Sequence, residues 1–188
     1  MVVEAAVAIS SGVLAKSVLL TAFGFDSVIE VLSGAALFWR LRVEARNASQ
    51  QRVQRIELLM TRISAIFLIL LCAYIVLSSA AGLLLRVEPG GSVGGLVIAI
   101  AAVIAMPLLA FKKRQVNRNL DSAALRADIV ETMTCAFMAA ATLVGVALTL
   151  LLQWWWADYL LALALLFWLV PETREAIEAV RSRTARSD

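Results

Sequence analysis

The chain has 188 residues, of which 62% are hydrophobic and only 16% charged, whereas soluble domains are about 45–50% apolar and about 25% charged. Its 17 basic and 14 acidic residues leave a net charge of +3, and histidine is absent. These figures exclude a secreted domain, a disordered chain and a cytosolic enzyme. The lack of imidazole further excludes a Ser-His-Asp triad, a His-based metalloprotease and a His-ligated haem.

A bilayer core of about 30 Å is crossed by roughly 20 helical residues. Apolar stretches of that order cover residues 2–15, 18–39, 63–85, 93–111, 129–153 and 157–170. The expected fold is all-α: a polytopic membrane protein with six transmembrane helices over residues 1–180, followed by a short basic tail, 181–188. The first stretch carries Glu4 where a signal peptide needs a basic region, and no small-residue cleavage site follows, so it reads as a helix. It is short, which means either that residues upstream complete it or that it sits partly below the interface. Ser11-Gly12 and Lys16 are expected to form a tight outer connection to the second helix. Glu88-Pro89-Gly90-Gly91 forms the second outer turn. Trp154-Trp155-Trp156 with Tyr159 fits an aromatic belt at the outer interface. Pro107 is expected to bend the fourth helix, and Pro171 to interrupt or kink the sixth.

The placement of the basic residues sets the orientation. Arg40, Arg42, Arg46, Arg52, Arg55 and Arg62 surround the second connection. Lys112, Lys113, Arg114, Arg118 and Arg126 surround the fourth, and Arg174, Arg181, Arg183 and Arg186 lie in the tail. Only Lys16 and Arg86 fall on the opposite side. The positive-inside rule therefore puts both termini and both basic loops in the cytoplasm. The same pattern accounts for the positive charge as a topology signal and not as a nucleic-acid site.

Chemistry is expected where the chain places charge against its own solvent. Asp26 and Glu30 lie inside the second apolar stretch, four residues apart on one helical face. Carboxylates there cost at least a few kcal/mol and commonly mark an ion path, and two of them stacked repel unless a cation or proton separates them. The alternative is that they are protonated and bonded to a neighbouring helix. Asp128, Glu131 and Cys135 open the fifth helix at spacings of three and four, a second stripe on one face. Facing Asp26 and Glu30, that stripe supplies two to three oxygens and one sulfur, enough for a four-coordinate divalent cation. Cys135 is equally readable as a small packing residue. Asp128 is either a ligand, or part of the access path, or a cap or partner of Arg126. Cys72 has no acidic neighbour at helical spacing and reads as packing.

The segment Gly24-Phe25-Asp26-Ser27-Val28-Ile29-Glu30-Val31-Leu32-Ser33-Gly34 resembles the metal-binding second helix of the cation diffusion facilitators, which carry D-x-x-x-D there. Arg126-Ala127-Asp128-Ile129-Val130-Glu131-Thr132-Met133-Thr134-Cys135 is similar to their fifth helix, patterned H-x-x-x-D after an Ala-Asp pair. By that match Asp26 and Glu30 stand at the family's two acids, Glu131 at its histidine and Cys135 at its second aspartate. Glu replaces the second acid of the first motif, and Glu and Cys replace His and Asp in the second. The chain looks like the short branch of the family without a C-terminal cytoplasmic metal-sensing domain.

The resemblance implies a secondary transporter, not an enzyme, that exports a divalent metal ion by alternating access against inward protons. Zn2+ is the expected ion, with Mn2+, Fe2+, Co2+ or Cd2+ as alternatives. Protons would have to exchange on carboxylates, since no imidazole is present. The expected location is the inner (plasma) membrane of a bacterium. A homodimer would rest on membrane helices alone, for which Ser78, Ser79, Ala80, Ala81 and Gly82 offer a patch of small residues that could equally pack within one subunit. Competing readings are a non-transporting scaffold or regulatory subunit with structural buried acids, and a channel.

Overall fold

The computed structural model describes residues 1–45, 50–120 and 123–184. Six α-helices follow in order: α1 Val2–Ala15, α2 Val18–Ala45, α3 Gln50–Leu85, α4 Val93–Leu120, α5 Ala123–Leu152 and α6 Trp155–Thr184. Among the described residues there is no strand. Apolar windows long enough to cross a membrane lie in Val18–Trp39, Thr61–Leu85, Val93–Arg118 and Asp128–Leu152. The 14 residues of α1 span only about 21 Å at 1.5 Å each. In α6 the apolar part stops at Pro171-Glu172.

The helices outrun the apolar stretches on the cytoplasmic side. Hydropathy marks where lipid stops, but the helix continues wherever the polar residues that follow are themselves good helix formers. Arg42, Glu44 and Ala45 of α2 and the Gln, Arg, Glu and Leu residues opening α3 are good helix formers of that kind. Neither proline ends a helix. Both α4 and α6 continue through Pro107 and Pro171, each giving up one backbone hydrogen bond, so of the two outcomes expected at Pro171, interruption or a kink, interruption does not occur. The Thr173 hydroxyl donates to the Leu169 carbonyl (2.7 Å) beside that site. Arg46, Arg186 and residues 185–188 of the expected tail lie outside the described residues.

Three outer turns share one device. Lys16, Arg86 and Gln153 end α1, α3 and α5 with φ of 53°, 50° and 53°. This left-handed conformation costs a non-glycine residue about 1–2 kcal/mol. The return is that orphan carbonyls are satisfied: Lys16 N–H bonds Val13 O (3.2 Å), Ser17 N–H bonds Gly12 O (2.9 Å), and Val87 N–H bonds Gly82 O (3.0 Å). The cationic residues at two of these ends also complement the helix dipole. Ser11 and Gly12 thus belong to α1, and the first turn is confined to Lys16-Ser17. Gly90 of the second outer turn donates to the Ala15 carbonyl (2.7 Å), tying the two turns together.

The core is built around α2, which packs against α1, α3, α5 and α6. Helix α4 lies on α1 and α5, and α3 pairs with α6. Leu19, Leu20, Ala22 and Phe23 of α2 are fully buried, whereas Leu14, Leu84 and Phe167 are 83–85% exposed, as side chains facing lipid would be. Close approach of α1 to α2 requires Gly24, where a Cβ would lie 2.6 Å from Ile9 Cγ1. That contact sits half a turn above Asp26.

One outer-side feature differs from expectation. Trp154 and Trp156 stack at 5.4 Å and are half exposed, as belt residues would be. Tyr159 is instead a core residue, 1% exposed, whose hydroxyl donates to the Val87 carbonyl (2.7 Å) just past α3. The small-residue patch of α3 is divided. Gly82 lies under the Tyr159 ring and Ser79 is buried within the chain, while Ala80 and Ala81 are exposed.

Candidate metal site

Asp26 and Glu30 are both buried although α2 carries them into the apolar part of the bundle. They lie on the face of α2 that meets α5, and Cys135, 1% exposed, stands against both carboxyls. One turn nearer the cytoplasm, Glu131 of α5 faces Ser33 of α2, close enough to Asp26 and Glu30 to feel their charge. The antiparallel course of α2 and α5 produces this register: each step of one turn along α5 meets a step of one turn back along α2. Four of the five sequence-selected residues therefore share one helix–helix contact.

Asp128 is the exception. It is buried, but its Oδ2 accepts from Lys113 Nζ of α4 at 2.7 Å, and the same ammonium donates to Thr132 Oγ1, also at 2.7 Å. Thr132 in turn donates to the Asp128 carbonyl (2.9 Å). The partner of Asp128 is therefore a lysine from the neighbouring helix. Glu30 lies beside this group as well as beside Cys135, yet among the described residues neither of its carboxylate oxygens has a hydrogen-bond partner.

Among the described residues no three His, Cys, Asp or Glu side chains converge closely enough to hold one metal ion. The carboxyls instead have separate neighbours: Cys135 for Asp26, Ser33 for Glu131 and Lys113 for Asp128. Asp26 and Glu30 are one turn apart on the same helix, so side-chain rotation alone changes the distance between their oxygens.

Residues 1–182 match the family model of the cation efflux transmembrane domain. The chain belongs to the cation efflux family. No individual curated protein matches it. A cation efflux protein is an integral membrane transporter of divalent metal cations, so the cargo is a metal ion and the buried carboxylates lie in a chain whose family moves cations.

Two acids that the sequence reading passed over also approach the cluster. Glu4 of α1 is 7% exposed and reaches the neighbourhood of Ser27 and Glu30. Glu172 of α6, beyond the apolar part of that helix, lies near Asp26 and Glu131. Its carboxyl is pushed up to about 7 by burial and by the adjacent charge of Glu175. Because α6 continues through Pro171, Glu172 stays on the helix and reaches the bundle.

Proposed function

We propose that this cation efflux protein exports Zn2+ from the cytoplasm by alternating access, in exchange for protons. Asp26, Glu30, Glu131 and Cys135 are the metal ligands, and Asp128 lies on the cytoplasmic approach. The observation that carries this reading is the meeting of two buried α2 carboxylates with Cys135 and Glu131 across one helix contact. Leaving a charged group buried and unpaired is costly, so Glu30, whose two oxygens lack partners among the described residues, is the natural first contact for a cation.

Three carboxylates and a thiolate form a donor set that suits tetrahedral Zn2+, while the predominance of oxygen also favours Mn2+ or Fe2+, and the sulfur favours Cd2+. Without histidine, protons exchange on the same carboxylates that take the metal. Affinity then falls as pH falls, because protons and metal compete for the same lone pairs. Protons arriving from the outer side expel the ion, and the protonated acids return to the cytoplasm-facing state, where the next ion displaces those protons into the cytoplasm.

Assembly as a homodimer would use exposed membrane-facing helix surface, to which Ala80 and Ala81 contribute small residues. The working location is the inner membrane of a bacterium. Metal uptake into proteoliposomes, across a panel of Zn2+, Mn2+, Fe2+, Co2+ and Cd2+ with and without a pH gradient, tests the reading. Saturable Zn2+ flux that is accelerated by an opposing proton gradient is expected. Flux that is indifferent to pH between about 5.5 and 8 defeats proton exchange on the carboxylates, and channel-like ion currents defeat the carrier.

A further inference from the structure

Lys112 and Lys113 are neighbours at the cytoplasmic end of α4, yet they do different things. Lys112 is exposed, as a topology-setting residue should be, while Lys113 turns inward to a side-chain exposure of 21%. Its ammonium sits 2.7 Å from both Asp128 Oδ2 and Thr132 Oγ1. Because the Thr132 hydrogen is committed to the Asp128 carbonyl, the hydroxyl oxygen is free to accept from lysine. The ammonium is thus placed by two acceptors on one turn of α5.

What lies beyond it is unbalanced. Among the described residues, Asp128 Oδ1 and both oxygens of Glu30 are buried without a hydrogen-bond partner, and Glu30 is near enough for the charges of Lys113 and Asp128 to act on it. One tethered cation therefore serves two buried carboxylates and satisfies only one of four oxygens. We propose that Lys113 is the chain's own stand-in for the cargo: a tethered cation that holds Asp128 while the site awaits a metal, and that a divalent ion displaces on its way to Glu30. This role rests on the transport reading above and adds to it a positioning residue that sets how tightly the metal is held. A doubly charged ion reaching Glu30 repels the ammonium and competes for Asp128. The flexible lysine stem then lets the ammonium swing into cytoplasmic water.

Such a competitor weakens metal binding, which gives the test its sign. Zn2+ affinity of the detergent-solubilised full chain is measured by titration calorimetry for wild type, Lys113→Met and Lys113→Arg. Lys113→Met, which keeps the stem and loses the charge, is expected to bind Zn2+ about fivefold or more tightly, the lower end of ordinary site–site coupling. Lys113→Arg is expected to stay near wild type. A lysine that merely braces α4 on α5 would instead leave affinity unchanged or weaken it, and either result overturns the proposal.

A second measurement on the unmodified protein covers the case in which Lys113→Met fails to fold. Acylation of Lys113 by an amine-reactive reagent, read by mass spectrometry, should rise when Zn2+ is added. Unchanged or reduced labelling counts against displacement. Wild-type protein that binds none of the divalent ions sinks the transport reading and this role together, whereas tight wild-type binding with an unaltered Lys113→Met affinity sinks this role alone.

Discussion

Asp158 of α6 accepts a hydrogen bond from the hydroxyl of Ser17, at the head of α2, and in doing so caps a helix to which it does not belong. The same carboxylate accepts from the backbone N–H groups of Val18 (2.8 Å) and Leu19 (3.2 Å), while Ser17 Oγ also accepts from Leu20 N–H (3.0 Å). Two of the orphan donors of α2 are thereby satisfied by a charge from another helix, with the helix dipole in its favour. Since α2 carries Asp26 and Glu30, this cap fixes the height at which the candidate ligands stand. Asp158→Ala should destabilise the protein by about 2–3 kcal/mol, the scale for removing a charged partner from buried donors. Asp158→Asn, which keeps an acceptor, should cost less. Thermal unfolding in detergent reads both, and equal melting of all three proteins would contradict the capping role.

Metal binding offers a direct check of the proposed ligands. A ligand that binds only the folded chain stabilises it by about 2.7 kcal/mol at a concentration one hundred times its Kd. Zn2+ should therefore raise the melting temperature of the wild type, and Asp26→Ala should abolish that rise. Cys135→Ser should retain Zn2+-dependent stabilisation but lose preference for Cd2+ over Mn2+, because the soft donor is gone. Undiminished Cd2+ preference in Cys135→Ser would remove the thiol from the ligand set.

Glu172 gives a pH dependence with a definite sign. Burial and the neighbouring Glu175 push its carboxyl from an ordinary 4.5 up to about 7, with Asp26 and Glu131 nearby. Between those values the folded chain holds a proton that the unfolded chain has released, so stability falls as pH rises. The protonated carboxyl contributes fully below about 4.5, and that contribution is lost as pH rises through about 7. Glu172→Gln removes the penalty of charging. Its melting temperature should match the wild type near about pH 4.5 and exceed it increasingly up to about pH 8. A difference that stays constant with pH would show that burial of Glu172 is not what the wild type loses.

Gly82 separates internal packing from assembly. A Cβ there would run into the ring of Tyr159, which is itself held by its bond to the Val87 carbonyl. Gly82→Ala should destabilise the folded chain by about 1–3 kcal/mol, as overpacking does, without changing its oligomeric mass in gentle detergent. Were the mass to change at unaltered stability, Gly82 would belong to an intersubunit surface.

Whatever depends on local chemistry could be read from the chain alone. Apolar run length located α1 at residues 2–15, and the Glu88–Gly91 turn between α3 and α4. The distribution of arginine and lysine sided the helices because each charge responds to the nearest interface and not to a distant residue. The i, i+4 spacing of Asp26 with Glu30, and of Glu131 with Cys135, placed each pair on one face because helical periodicity is local. Packing decided the rest. Hydropathy could not say how far α2 and α3 continue into water, since it reports the solvent and not the backbone. A step of one residue turns a helix by about 100°, which is why Lys112 faces out and Lys113 reaches Asp128 although the two are identical in sequence terms. Which acids meet is set by the rotation and register of helices far apart in the chain. That is how Glu4 of α1 and Glu172 of α6 come near Asp26, and how Asp158 comes to cap α2.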